Sequence, residues 1–240
     1  MNKKSLKELI NDGFNKLDIS LSDIQIERMV NYTQFLIKEN KKYNLTSITE
    51  PEEIVKRHFL DSAGLFTKTK VEGKVIDIGT GAGFPGFVFK ILKEDIELTL
   101  LESSLKKVNF LKMLQVELDL HKNIEALHER AEDLGQRQGY RASYDIVTSR
   151  AVASLNILLE YTAPFCKEQG KILLYKGPSY QEEIKKAQSA LKKLNLSIKQ
   201  VHELNIPFLK GDRYIVEVVR EGKLLDKYPR RAGIPKKRPL

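Results

Sequence analysis

The stretch VIDIGTGAGFPG, residues 75–86, constrains this chain more than any other. Apolar residues alternate around Asp77, and glycines then fall at 79, 81, 83 and 86. A short β-branched apolar run ahead of clustered glycines reads as a buried parallel strand entering a tight turn. The following FPGFVFKILKE reads as a helix with Pro85 in its first turn, where a missing N–H costs nothing. Strand, glycine turn and helix together offer bare backbone N–H groups to a small ligand.

Two ligand classes use that shape. A dinucleotide fingerprint is G-x-G-x-x-G/A. Gly79 and Gly81 fit its first half, but Phe84 stands where the third small residue belongs and would crowd a pyrophosphate. An aromatic ring there can cover an adenine or a thioether. Asp77 suits an ammonium or sulfonium charge better than a dianion. The Gly79, Gly81, Gly83 core therefore favours S-adenosylmethionine over NAD. A tight turn with no ligand is the plain alternative.

The periodicity beyond the turn reads as alternating βα units. Strands are expected at 74–79, 96–102, 123–129, 143–149 and 170–177, with helices between them. SIKQVHEL and RYIVEVVR then follow as two strands with no helix between. That order predicts an α/β, doubly wound sheet ending in an antiparallel hairpin. The first 70 residues read as helices, with a capping box at Ser22-Asp23-Ile24-Gln25 and a helix start at Pro51-Glu52-Glu53. Ser179-x-x-Glu182 caps a lysine-rich helix running to about Leu194. Three segments result: a helical segment 1–70, a ligand-binding domain 71–220 and a basic arm 221–240. Glu102 closes the second strand 23 residues beyond Gly79, where an acid meets ribose hydroxyls. A 2′-phosphate beside it would be repelled.

Charge narrows the partner. The chain carries a formal +9, of which +6 lies between Arg220 and Leu240. A basic balance of that size points to a polyanion. Tyr228, Pro229, Gly233, Pro235 and Pro239 deny the tail a helical composition. It reads as an irregular, partly extended arm whose Arg230, Arg231, Lys236, Lys237 and Arg238 follow a phosphate backbone. A solvated tail is the bland alternative. No stretch approaches a membrane span, and MNKKSLKELINDGF lacks an apolar signal core. With a single cysteine, Cys166, a cytoplasmic protein is expected. The four histidines, at 58, 121, 128 and 202, lack metal-ligand spacing, so no metal is expected.

The strand order and VIDIGTGAG resemble class I S-adenosylmethionine-dependent methyltransferases of Rossmann-like fold. YNLTSI (43–48), HFLDS (58–62), SRAVAS (149–154) and YPRRAGIPKKRPL (228–240) narrow the likeness. From about residue 25 onward the chain resembles the bacterial guanine-N7 methyltransferases of small-subunit ribosomal RNA, the glucose-inhibited division protein B family. One departure is Ala232, where that family often has proline. The resemblance implies cofactor contacts at Gly79, Thr80, Gly81, Phe84, Glu102, Ala131, Glu132 and Arg150. It implies a guanine in the decoding-region loop of 16S ribosomal RNA as target. RNA or the small subunit would be the partner, with Asn44 and Thr46 facing it. A monomer is expected.

The chemistry bears on this separately. Guanine N7 attacks through an in-plane lone pair that bears no proton, so the task is placement and no general base is required. A cytosine-C5 enzyme needs a cysteine nucleophile, and Cys166 in APFCKEQG reads as a small buried apolar residue near a helix end. Exocyclic-amine enzymes usually carry proline-proline-aromatic after the fourth strand, where this chain has SRAVAS. His58 and Asp61 either touch RNA or cap a helix. The rival readings are a small-molecule methyltransferase, which the arm disfavours, and a non-enzymatic RNA-binding protein, which the intact glycine core with Glu102 disfavours.

Overall fold

The structure, a computed structural model, describes residues 2–240. Helix α1 (Lys3–Asn15) and helix α2 (Asp23–Tyr43) open the chain. Ser22 and Gln25 form the reciprocal capping box at the start of α2, with both bonds present. Asn44 ends α2 in the left-handed conformation, at φ 50°. Pro51 begins the single turn α3 (Pro51–Ile54), followed by a π-helical turn, Val55–Leu60, and the turn α4 (Asp61–Ala63). No helix among the described residues is long and apolar enough to cross a membrane.

The βα series then runs β1 (Lys74–Ile78), α5 (Gly86–Leu92), β2 (Glu97–Glu102), α6 (Leu105–Glu117) and β3 (Ile124–His128). It continues with α7 (Ala131–Leu134), β4 (Tyr144–Arg150), α8 (Leu155–Thr162) and β5 (Cys166–Lys176). Helices α9 (Tyr180–Lys186) and α10 (Gln188–Lys193) precede β6 (Leu196–Leu204), β7 (Arg213–Arg220) and the short α11 (Ile234–Lys237). Two local expectations change. Pro85 precedes α5 instead of lying within it. The lysine-rich helix is split at Ala187, and Ser179 makes no side-chain cap bond.

The seven strands lie in the order β3-β2-β1-β4-β5-β7-β6. β1 to β5 are parallel, and β7 inserts antiparallel between β5 and β6. Order reverses between β1 and β4, which opens a crevice at their carboxyl ends. Residues alternate between the two faces, as strand geometry requires. Val75, Leu98, Ile146 and Leu173 join a core with Phe14, Tyr32 and Leu111, so the N-terminal helices share the sheet's own packing. Ile76, Val147, Ile172 and Val216 face the opposite core, which includes Leu155, Leu159, Cys166 and Tyr228.

Helix α2 is pinned to the βα unit by long-range polar contacts. Arg28 Nε donates to the Leu118 carbonyl at 2.9 Å and pairs with Glu94. Gln25 Nε2 donates to the Ile91 carbonyl at 2.9 Å. Tyr32 Oη reaches the glycine turn itself, donating to the Ala82 carbonyl at 2.6 Å.

Candidate cofactor and RNA site

At the end of β1 the chain turns through Thr80–Phe84 in a conformation only glycines tolerate easily, with Gly79, Gly81 and Gly83 all at positive φ. A Cβ on Gly79 would lie 2.5 Å from Val152 Cγ2. A Cβ on Gly81 would meet nothing nearer than the Gly79 carbonyl, 3.9 Å away, so this backbone is bare toward the crevice. A Cβ on Gly83 would lie 2.5 Å from Phe87 Cδ2 and 2.7 Å from Tyr32 Oη. Gly83 is thus small because the turn packs inward on α2 and α5.

Asp77 lies beneath the turn and is fully buried. Its Oδ2 accepts from Thr80 Oγ1 at 2.6 Å and from the Gly86 amide at 2.9 Å, while Oδ1 has no partner. Burial pushes its carboxyl up to about 6, against the pull of those two donors. Asp77 and Thr80 therefore shape the turn from below. Glu102 does so from the side. Its Oε2 accepts from the Gly81 amide at 3.1 Å and its Oε1 from the Ser104 amide at 2.9 Å.

A cavity of about 350 Å³ opens beside the turn, within the range of small-molecule sites. Of the sequence-predicted residues, Gly79, Ala131, Glu132 and Lys236 line it. Leu101 and Ser103, either side of Glu102, line it too, with Ile157 and Tyr161 from α8. Gly79 at the end of β1, Leu101 and Ser103 at the end of β2, Ala131 and Glu132 after β3, and the apolar Val152 and Ile157 suit an adenosyl ligand laid across the strand ends. The residues fit S-adenosylmethionine.

Of the other expected cofactor residues, Asp77, Thr80, Gly81, Gly83 and Glu102 form or brace the turn without lining this cavity, and Phe84 and Arg150 lie elsewhere. Phe84 is only 4 % exposed and stacks between Tyr32, at 4.9 Å, and His58, at 4.4 Å. Its ring anchors the turn to the N-terminal helices. Arg150 turns away from this cavity into a second one of about 430 Å³, which also contains His58, Asp61, Tyr175 and Lys176. There its Nη1 donates to Asp61 Oδ2 at 2.7 Å and its Nη2 to His58 Nδ1 at 2.9 Å. His58 Nε2 in turn meets Thr46 Oγ1 at 3.1 Å. Burial, reinforced by the Arg150 charge, drops the imidazole to about 3, so His58 is neutral.

Residues 151–153 separate the two cavities, and Ala153 lines both. Ala151 holds φ 57°, a strained value for a residue other than glycine. Lys176 steadies this loop, donating from Nζ to the Ala153 carbonyl at 3.0 Å and to Glu183 Oε2 at 2.7 Å. The same Glu183 oxygen accepts the Leu155 amide at 2.7 Å. Sequence reasoning missed Lys176 and Glu183, because no spacing joins them to SRAVAS.

The C-terminal residues differ most from expectation. Instead of an extended arm, they fold onto the second sheet face. Tyr228 is buried, and Arg230 grips the buried Glu160 through Nε at 2.8 Å and Nη2 at 2.7 Å. The Gly233 amide donates to Glu132 Oε1 at 2.9 Å, which occupies the carboxylate expected at the adenine edge. Arg231, Lys237 and Arg238 face solvent, and Asn44 is exposed beside the half-buried Thr46.

The sheet order and this cavity define a class I S-adenosylmethionine-dependent methyltransferase. Residues 25–216 match the GidB family, rRNA small subunit methyltransferase G, and the chain belongs to that family. It is 44% identical over 242 residues, covering all of both chains, to the ribosomal RNA small subunit methyltransferase G of Caldanaerobacter subterraneus subsp. tengcongensis. The protein of the same name from Alkaliphilus oremlandii is 40% identical, over 98% of this chain and 99% of that one. Among solved structures, a SAM-dependent methyltransferase from Aquifex aeolicus superposes with TM-score 0.53 at 18% identity, over 73% of this chain and 96% of that one. M. jannaschii TYW2 in complex with AdoMet gives TM-score 0.55 at 14% identity, over 72% and 79%. At such identities the structural likeness shows the fold alone.

Proposed function

We propose that this chain transfers the methyl group of S-adenosylmethionine to N7 of a guanine in 16S ribosomal RNA, within the decoding-region loop. Membership of a family whose relatives are named for the small-subunit RNA supports the substrate. The observation that carries the choice of atom lies in the second cavity, across the 151–153 loop from the cofactor cavity. Most of its acid–base groups pair with one another or with backbone. His58 accepts from Arg150 and meets Thr46, Asp61 accepts from Arg150, Tyr175 Oη donates to the Ser62 carbonyl, and Lys176 pairs with Glu183. Such a site holds a base and withdraws no proton from it, which suits a proton-free lone pair.

The cofactor, when bound, supplies a sulfonium methyl carbon open to in-line attack. The chain's part is placement. Gly79, Gly81 and Glu102 fix one reactant, and the loop held by Lys176 sets the gap to the other. Arg57 and Arg213 at the second cavity, with Asn44, Thr46, Arg231, Lys237 and Arg238, supply an RNA-facing surface. The protein acts as a cytosolic monomer on RNA or on the small subunit. Mass mapping of 16S RNA from cells lacking the gene, with and without the restored gene, tests this. One guanine should lose and regain an N7 methyl group, and an unchanged methylation map would refute the reading.

A further inference from the structure

The C-terminal segment reads in the sequence as an RNA-following arm or a solvated tail, yet its contacts lead to the cofactor cavity. Arg230 locks onto Glu160 of α8, and its backbone amide also donates to Glu160 Oε1 at 2.9 Å. Glu160 is 1 % exposed, so this pair is a fixed joint and not a passing surface contact. Gln136 Nε2 donates to the Pro229 carbonyl at 2.9 Å, and Arg141 Nη1 to the Tyr228 carbonyl at 2.7 Å. The Gly233 amide then reaches Glu132, and three residues later Lys236 lines the cavity. Pro235 is buried between them. The segment is therefore held at four points before it presents Lys236.

We propose that the segment Tyr228–Lys237 is the outer wall of the cofactor site, and that the Lys236 ammonium contacts the adenosine half of bound S-adenosylmethionine. The proposal rests on the cofactor reading above. Sheet order fixes which half. The glycine turn belongs to β1 and the ribose-facing acid to β2. The cavity's far end belongs to the loop after β3, where Glu129, Ala131 and Glu132 lie. Glu132 is the residue Gly233 grips, so Lys236 enters at that far end. Lys236 has no ion-pair partner among the described residues, and a purine ring offers its nitrogens as acceptors.

Isothermal titration of the full chain with S-adenosylhomocysteine and with 5′-methylthioadenosine, which lacks the amino-acid half, tests this. Truncation before Tyr228 would remove buried groups, so the informative variant is Lys236→Ala, with Lys193→Ala on the exposed face of α10 as the equal-charge comparison. Lys236→Ala should weaken both ligands about three- to tenfold, the scale of one hydrogen bond, at unchanged melting temperature. Lys193→Ala should leave both affinities within twofold. Equal effects of the two variants would overturn the proposal, since only bulk charge would then be at work. Loss confined to S-adenosylhomocysteine would also overturn it, by moving Lys236 to the amino-acid half. Failure of the unaltered protein to bind either ligand would instead refute the cofactor reading itself.

Discussion

Arg150 and His58, 92 residues apart in sequence, meet at 2.9 Å between Nη2 and Nδ1. A guanidinium only donates, so Nδ1 accepts, and the imidazole proton sits on Nε2 facing Thr46. One bond thus ties the end of β4 to the π-helical turn and fixes the tautomer of His58, which burial, aided by the Arg150 charge, keeps neutral. The same guanidinium lies 5.4 Å from the centre of the Phe84 ring, so it also braces the glycine turn from behind.

That bond has a pH signature. An imidazole at about 3 in the folded chain and near its ordinary 6.5 when unfolded binds fewer protons folded than unfolded between those values. Its contribution to stability is complete above pH 6.5 and is lost as pH falls toward 3. Asp77, raised to about 6, works in the opposite direction, so the comparison must isolate His58. His58→Asn keeps an acceptor for Arg150. Denaturant unfolding at pH 7 and pH 5 should show the unaltered protein losing about 1–2 kcal/mol relative to this variant. Parallel curves for the two proteins would mean that His58 titrates normally.

Gly81→Ala separates cofactor space from fold. Its Cβ would project into open space from a residue at φ 61°, so the stability cost is the left-handed penalty of about 1–2 kcal/mol. Cofactor affinity should fall more than tenfold while the protein stays folded. Retained affinity in calorimetry would show that the ligand does not approach this backbone.

Much of this architecture was legible in the sequence, and the reasons are local. The Ser22–Gln25 capping box, the Pro51 helix start and the glycine turn each depend on residues within a few positions. The period-2 pattern gave the strands, and the absence of a helix between β6 and β7 gave the hairpin. The rest depends on contacts between distant segments. Nothing near Phe84 indicates that Tyr32 and His58 sandwich its ring, and nothing near Arg230 indicates Glu160. A proline- and lysine-rich composition reads as an open arm until its carbonyls are seen to meet Arg141 and Gln136.

The folded tail divides its cations into two kinds. Arg230→Ala would leave the buried Glu160 carboxylate without its partner and should cost about 3 kcal/mol of stability, visible as a lower melting temperature. Replacing the exposed Arg231, Lys237 and Arg238 by Gln should leave stability unchanged. That triple variant should lower the log–log salt slope of RNA binding by about 2, at roughly 0.7 per phosphate contact on a single strand. An unchanged slope would remove these three residues from the RNA interface.

Cys166 lies buried away from both cavities. Burial pushes its thiol up to about 12. Cys166→Ala should methylate at a rate within twofold of the unaltered protein, and no covalent enzyme–RNA adduct should survive denaturation. A trapped adduct through this residue would require a different reaction class.

The account stands most directly on the identity of the methylated atom. Small subunits from cells lacking the gene, incubated with the purified protein and methyl-labelled S-adenosylmethionine, can be digested to nucleosides and resolved by mass spectrometry. On the proposed reading the site places a base without deprotonating it, so all label should elute as 7-methylguanosine, from one position of the 16S RNA. Label in a methylated cytosine or on an exocyclic amine would contradict it.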